Sequence, residues 1–291
     1  MSLNRRKFLM TALAAGLTPL LNLSGWPSGQ APAGTLARSV ARPKPEKKFG
    51  FSLGLTSYTF RAFNLEQTIN MTGRLQLEKI TLKDFHLPLN ATPEEIAART
   101  KKVREAGLDL YGAGVVYLEK PEEVEKVFSF ARTSGLRMII ASPAPSLLPL
   151  IEKQVIKNNI QVAIHNHGPG DRFYPTPAEA FDRIKNLDHR VGLCLDIGHA
   201  ARAGLDPAAQ AARFSDRLLD VHLKDVSSAS AEGQTVEIGR GVIDIKEFLR
   251  TIIKLNYRGT LSFEFEKDEK DPLPGLAESV GYVRGLLVGL D

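Results

Sequence analysis

Strand-length apolar runs recur eight times along this chain, and stretches with helical periodicity lie between them. A strict alternation of strands and helices favours a closed parallel barrel over a doubly wound sheet. A doubly wound sheet also needs a glycine-rich phosphate turn after its first strand, and residues 55–60 contain no glycine. The chain is therefore predicted to be an α/β protein with a single (β/α)8 barrel. The strands are predicted at 51–57, 77–83, 108–114, 137–142, 161–165, 191–196, 218–224 and 260–266.

Several of the predicted helices carry recognisable end signals. Thr92 can cap a helix that has Pro93 in its first turn, followed by Glu94 and Glu95 where the helix dipole favours acids. Gly135 is placed to end the next helix, because glycine adopts the left-handed conformation common at that position. The helices are predicted at 93–106, 121–133, 147–157, 177–185, 207–214, 245–255 and 272–287.

The first 33 residues have the pattern of a bacterial export signal. Arg5 and Arg6 precede a mild apolar run and a small-residue site at 31–33, which resembles the twin-arginine class. That run is shorter than the ~20 residues needed to span a bilayer. We expect residues 1–33 to be the signal, 34–48 a flexible linker and 49–291 the enzyme domain. The expected location is periplasmic, with the twin-arginine export machinery as a partner and no stable membrane insertion after cleavage.

Charge and cysteine content narrow the possible classes. The whole chain has a formal net charge of +5, which falls to +2 when Arg5, Arg6 and Lys7 are removed with the signal. A charge this small argues against nucleic acid as a partner. Cys194 is the single cysteine, so an internal disulfide and the cysteine-based zinc motifs are excluded. It lies two residues before Asp196 on a predicted strand and is expected to be a buried thiol facing the barrel interior.

Histidines and acids gather at predicted strand ends. Five of the six histidines lie where a strand runs into a loop, and Asp196 and Glu264 hold equivalent positions. The C-terminal strand ends of a barrel form the rim where active sites are built. Imidazoles and carboxylates that meet there are ligands for a divalent transition metal. The five histidines are His86, His165, His167, His199 and His222.

Alternation on the last strand supports the same interpretation. Ser262, Glu264 and Glu266 alternate with apolar residues, so their polar face should look into the barrel. An unpaired buried carboxylate costs several kcal/mol, and a metal ion supplies a partner.

At these motifs the chain resembles the xylose-isomerase-like sugar isomerases and epimerases, which are TIM barrels. The resemblance covers the predicted mature chain and rests on the segments 192–199, 220–225, 239–241 and the closing strand. It implies one divalent ion, usually manganese, cobalt or zinc, held by carboxylates on strands five, six and eight and by a histidine on strand seven. Asp196, His222 and Glu264 match three of these ligands. The fourth position holds His165 where the family usually has glutamate, and imidazole also ligates these ions.

The expected function is that of a metal-dependent sugar or cyclitol isomerase or epimerase working through a metal-stabilised enediolate. Proton transfer is assigned to Glu264, His167 or Lys224. Lys83, His86, His199 and Arg240 are candidate substrate-binding residues. Arg240 lies between two glycines in the loop after strand seven, where such barrels often bind anions.

Alternatives stay open at several of these positions. His86 and His199 can each be structural, and Lys83 and Lys224 are both followed by aspartate, which permits a local ion pair. His165 can turn away and leave water as the fourth ligand. The absence of the second glutamate makes a keto-sugar lyase or dehydratase an alternative function. A non-catalytic carbohydrate-binding barrel is a further alternative. Apurinic endonucleases share the fold but need about nine zinc ligands. The predicted rim offers fewer candidate ligands, which argues against that class.

Overall fold

The structure is a computed structural model that describes residues 49–290. Eight parallel strands form a closed barrel in which neighbours along the chain are neighbours in space, and the last strand pairs with both β7 and β1. This confirms the predicted (β/α)8 barrel. The barrel strands are β1 Ser52–Thr56, β2 Lys79–Leu82, β3 Asp109–Leu118, β4 Met138–Pro143, β5 Gln161–His165, β6 Val191–Asp196, β7 Leu218–Leu223 and β10 Thr260–Phe263. A separate antiparallel pair, β8 Asp225–Val226 and β9 Thr235–Val236, follows β7.

Nine helices are described between and after these strands. The seven predicted helices agree with the observed ones to within one residue at either end. Two further helices, α1 and α6, were not predicted: α1 has threonine, asparagine and glycine in its sequence, and α6 is only six residues long. The helices are α1 Leu65–Arg74, α2 Pro93–Glu105, α3 Pro121–Ser134, α4 Leu148–Asn158, α5 Pro177–Ile184, α6 Ile197–Arg202, α7 Pro207–Arg213, α8 Ile245–Lys254 and α9 Leu273–Val288.

The helix end signals act as the sequence predicts. Thr92 and Glu95 form a reciprocal capping box, since the Glu95 backbone N–H donates to Thr92 Oγ1 at 3.3 Å and the Thr92 N–H donates to Glu95 Oε2 at 2.8 Å. Gly135 follows α3 with φ of 63°. These local contacts set where each helix begins and ends, and hence how long each connection to the barrel rim is.

Two strand ends differ from prediction by more than two residues. β3 continues four residues beyond the predicted end to Leu118, with a register shift against β4 between Ala113 and Val116. The last strand ends at Phe263 rather than at residue 266. The Glu264 N–H still donates to the Leu223 carbonyl at 3.0 Å, so the backbone remains tied to β7 at that point.

The inside of the barrel is packed with apolar side chains and also holds a hydrogen-bonded pair of polar side chains. Tyr111, Met138, Ile140 and Cys194 belong to an interior apolar cluster. The Tyr111 hydroxyl contacts the Asp220 carboxylate at 3.1 and 3.2 Å. Burial raises the pKa of the Cys194 thiol to about 12, which agrees with the expected inert thiol. The barrel interior below the rim is therefore a packed core.

Within residues 49–290, no helix has the length and apolar content needed to cross a membrane. The predicted export signal at 1–33 and linker at 34–48 lie outside the described residues and stay predictions.

Candidate metal centre at the barrel rim

Four of the predicted rim residues converge on one point. His165 ends β5, Asp196 ends β6, His222 lies near the end of β7 and Glu264 directly follows β10. One nitrogen or oxygen atom from each lies within 4.8 Å of the corresponding atom of every other. All four residues are buried, with Glu264 the most exposed at 6% of its whole-residue surface. Adjacent barrel strands in register bring the four together, because Asp196 pairs with His222, and His222 with Ser262.

The spacing of the donor atoms fits a small metal ion. His165 Nε2 lies 3.1 Å from His222 Nδ1 and 3.5 Å from Asp196 Oδ2, and His222 Nδ1 lies 3.4 Å from Glu264 Oε2. Four ligands at about 2.1 Å from a tetrahedral ion would stand about 3.4 Å apart. Asp196 Oδ2 is buried and accepts no well-aligned hydrogen bond. The donor set, two imidazoles and two carboxylates, suits a divalent transition ion.

The backbone around Asp196 fixes which of its oxygens faces the cluster. Asp196 caps α6: its Oδ1 accepts the His199 N–H at 2.7 Å, which leaves Oδ2 directed at His165. Asn166 joins β5 to β6 by accepting from the Asp196 N–H and donating to the Asp196 carbonyl, both at 3.0 Å. Gly198 leaves room for Lys224, since a Cβ there would come within 2.8 Å of that side chain. These contacts explain why aspartate and glycine stand at positions 196 and 198 of the segment 192–199.

Lys224 lies inside the same cluster. Its Nζ is 3.1 Å from Asp196 Oδ2 and 2.8 Å from Glu264 Oε2, and it also contacts Glu266. Three carboxylates and one ammonium carry a net charge of −2 when both imidazoles are neutral. With neutral imidazoles, as metal binding requires, one divalent cation would balance this charge, whereas without the metal a protonated His222 offsets part of it.

The protonation of the four candidate ligands follows from burial and neighbours. Burial lowers the pKa of His165, so its imidazole is neutral as a ligand must be. Burial would raise the pKa of Asp196, but His199 and Lys224 outweigh it and hold that pKa well below its usual range. Burial likewise opposes the charge on Glu264, whose pKa Lys224 and His222 bring below the ordinary value. The pKa of His222 is raised despite its burial, because Cys194 and Glu264 favour the charged form.

His167 adjoins the cluster and has a partner that the sequence did not suggest. Its ring centroid lies 4.4 Å from that of His165, and its Nε2 lies 2.9 Å from the Tyr117 hydroxyl. Burial lowers the pKa of His167 to about 3. Tyr117 is 60% exposed at the rim. It was missed because β3 was predicted to end at residue 114, and only the extra residues of β3 carry it to this place.

The candidate substrate-binding residues fall into two groups. Lys83 Nζ lies 5.8 Å from the centre of the Tyr117 ring and donates to the Val115 carbonyl at 2.5 Å. His199 lies against the centre, with its Nε2 3.9 Å from Asp196 Oδ2. The other two have structural partners. His86 is buried, with Nε2 3.0 Å from Thr68 Oγ1 and 2.9 Å from the Phe63 carbonyl, and exposed Arg240 pairs with Glu278 of α9 at 2.5 and 2.8 Å.

Asp225 explains the segment 239–241 in structural terms. Its buried carboxylate accepts the backbone N–H groups of Gly239 and Gly241 at 2.9 and 3.1 Å, and those of Val226 and Ile243 at 2.9 and 3.2 Å. A Cβ on Gly241 would come within 2.1 Å of Asp225 Oδ1. Asp225 therefore orders the connection between β7 and α8.

The two lysines that are followed by aspartate in the sequence have different partners. Lys83 lies 3.5 Å from Asp84, the residue next to it. Lys224 instead contacts Asp196, Glu264 and Glu266.

Fold and site together define a (β/α)8 barrel with a candidate metal centre at its C-terminal rim. Residues 141–286 match the family described as xylose isomerase-like TIM barrel, and the chain belongs to that family.

Curated relatives match part of the chain. The chain is 32% identical over 120 residues to the rhizopine catabolism protein MocC of Rhizobium meliloti, covering 36% of this chain and 37% of that protein. It is 31% identical over 124 residues to an inosose dehydratase of Geobacillus kaustophilus, covering 37% and 39%. The alignments thus span less than half of these relatives. The crystal structure of 3-keto-D-glucoside 4-epimerase from E. coli superposes with a TM-score of 0.67 at 16% identity, over 81% of this chain and 99% of that one.

Proposed function

We propose that the protein is a divalent-metal-dependent isomerase or epimerase that acts on a sugar or cyclitol through an enediolate. The observation that carries this proposal is the buried set of His165, Asp196, His222 and Glu264, whose donor atoms all lie within 4.8 Å of one another. A bound divalent ion supplies Lewis-acid polarisation of a substrate carbonyl. Manganese, cobalt and zinc all suit this donor set.

The residues around the centre supply the proton transfers that such a reaction needs. Glu264 would remove the proton next to the carbonyl, because its charged form is favoured by Lys224 and His222. Lys224, which carries a positive charge, is the group proposed to return a proton. His167 has a lowered pKa that leaves it neutral, and it is proposed as a second group that can accept a proton. His199 lies against the centre and Lys83 lies near the ring of Tyr117, and both are retained as substrate-binding candidates. His86 and Arg240 have internal partners, and the proposal assigns them no contact with substrate.

A second candidate is a dehydratase acting on a keto-sugar or keto-cyclitol. Two observations favour it. His165 stands where the resemblance implies a second glutamate, and a dehydration needs only one base and one acid. The relative from Geobacillus kaustophilus is named an inosose dehydratase. Both candidates share removal of a proton beside a carbonyl, so one experiment addresses them together.

The test combines metal content with hydrogen exchange. The full-length protein should contain about one divalent transition ion per chain by elemental analysis, and Asp196→Ala, His222→Ala and Glu264→Ala should each lose it while remaining folded by circular dichroism. In D2O, incubation with a ketose or an inosose should place deuterium beside the carbonyl, as seen by proton NMR. A rearranged sugar supports the isomerase, and loss of water supports the dehydratase. A metal-free wild-type protein with full activity on any substrate would overturn the proposal.

A further inference from the structure

Lys224 is a cation held in a place where a cation is also proposed to bind. Its side chain is 1% exposed, and its Nζ contacts two of the four candidate ligands. The oxygens involved are Asp196 Oδ2 and Glu264 Oε2, the same atoms that face His165 and His222. A fixed positive charge on these oxygens repels a second cation strongly in a buried setting.

Glu266 offers Lys224 a partner outside the ligand set. It contacts the Lys224 ammonium, and its side chain is 31% exposed, whereas those of Asp196 and Glu264 are 0% and 7% exposed. A lysine side chain is long and flexible, so a small rotation can exchange one carboxylate for another. The Lys224 ammonium is positively charged at neutral pH, and its contacts with Asp196, Glu264 and Glu266 favour that charge here.

We propose that Lys224 is an internal counter-cation that competes with the divalent ion for Asp196 and Glu264, and that Glu266 draws it aside when the ion binds. The inference rests on the proposed metal-dependent function. Lys224 would neutralise the buried carboxylates of the metal-free protein and lower the affinity for the metal. In the metal-bound protein it would stand beside Glu266 at the edge of the site, where its N–H groups can reach a substrate oxygen.

The first experiment measures Mn²⁺ and Zn²⁺ affinity by isothermal titration calorimetry on the full-length protein. Lys224→Met should bind the ion about tenfold more tightly or better, because the competing charge is gone. Its metal-free form should melt at a lower temperature than wild type, because three carboxylates then lack their counter-charge. Lys267→Met is the matched control. Lys267 pairs with Glu237 at 2.8 Å, and its loss should leave metal affinity unchanged.

The second experiment tests whether Glu266 acts by attracting Lys224 or by attracting the metal ion directly. Glu266→Gln should weaken metal binding in the wild-type background, because Lys224 then stays on Asp196 and Glu264. In the Lys224→Met background the same change should have little effect, since there is no lysine to draw aside. If Glu266 acted only by its own attraction for the metal, the loss would be equal in both backgrounds.

Each remaining outcome also decides the matter. Unchanged or weaker metal affinity in Lys224→Met overturns the inference, as does a Lys224→Met protein that stays unfolded at saturating metal. A variant that folds only when metal is added supports it. If wild type binds no ion but Lys224→Met does, competition by Lys224 is supported, while its displacement to Glu266 and the proposed metal-dependent function are both overturned. Absence of binding in both proteins overturns both.

Discussion

At the scale of single residues, His165 is where this chain departs from the family pattern that it otherwise resembles. The structure keeps it in the cluster, with Nε2 3.1 Å from His222 Nδ1 and 3.5 Å from Asp196 Oδ2. Two imidazoles and two carboxylates around a divalent ion give no net charge, whereas three carboxylates would give −1. With a divalent ion bound, the more electron-poor centre would polarise a substrate carbonyl more strongly, which would favour enolisation.

Two substitutions at this position test the idea. His165→Ala should weaken metal binding by more than about 100-fold, because losing only the hydrogen-bond partner of a ligand already costs about 10- to 100-fold. His165→Glu should keep the metal and the fold and lower turnover on the native substrate. Calorimetric titration of Mn²⁺ and Zn²⁺ measures the first effect, and steady-state kinetics the second. Wild-type affinity in His165→Ala would show that the imidazole is not a ligand.

At the scale of elements, the connection from β7 to α8 depends on one carboxylate. Asp225 is fully buried and accepts four backbone N–H groups, so its removal leaves several donors without partners. Asp225→Ala should lower the free energy of unfolding by about 2–4 kcal/mol, and Asp225→Asn by less because one oxygen acceptor remains. Urea denaturation followed by circular dichroism measures both.

A control variant exists on the same connection. Glu232 is exposed, and Glu232→Ala should change the unfolding free energy by less than about 0.5 kcal/mol. If Asp225→Ala were no more destabilising than Glu232→Ala, the four amide contacts would not be what orders this segment.

At the scale of the whole molecule, the predicted export signal at 1–33 bears on where the enzyme works. Changing Arg5 and Arg6 to lysine should hold the precursor in the cytoplasm, since the twin-arginine route reads that pair. Cell fractionation measures the effect, and normal periplasmic accumulation would rule the route out. Trp26 is the only tryptophan and lies within the predicted signal. The mature protein should therefore emit only tyrosine-like fluorescence.

The order of elements along the barrel was predictable because it depends on local patterns. Apolar runs and caps such as Thr92 act over a few residues, and neighbouring strands in sequence become neighbours in the barrel. The same local patterns predicted which residues lie at the C-terminal strand ends of the barrel. They include the four candidate ligands His165, Asp196, His222 and Glu264.

Only the tertiary structure decided which groups meet across the barrel. His165 and His222 are 57 residues apart in sequence, and Tyr117 and His167 are 50 apart. Tyr117 reaches the rim because of the register shift in β3, which arises between strands and leaves no periodic signal in the sequence. Lys224 likewise contacts Asp196, Glu264 and Glu266 rather than its neighbour Asp225. Side-chain partners depend on barrel register and on the space left by glycines such as Gly198, and both are properties of the closed barrel.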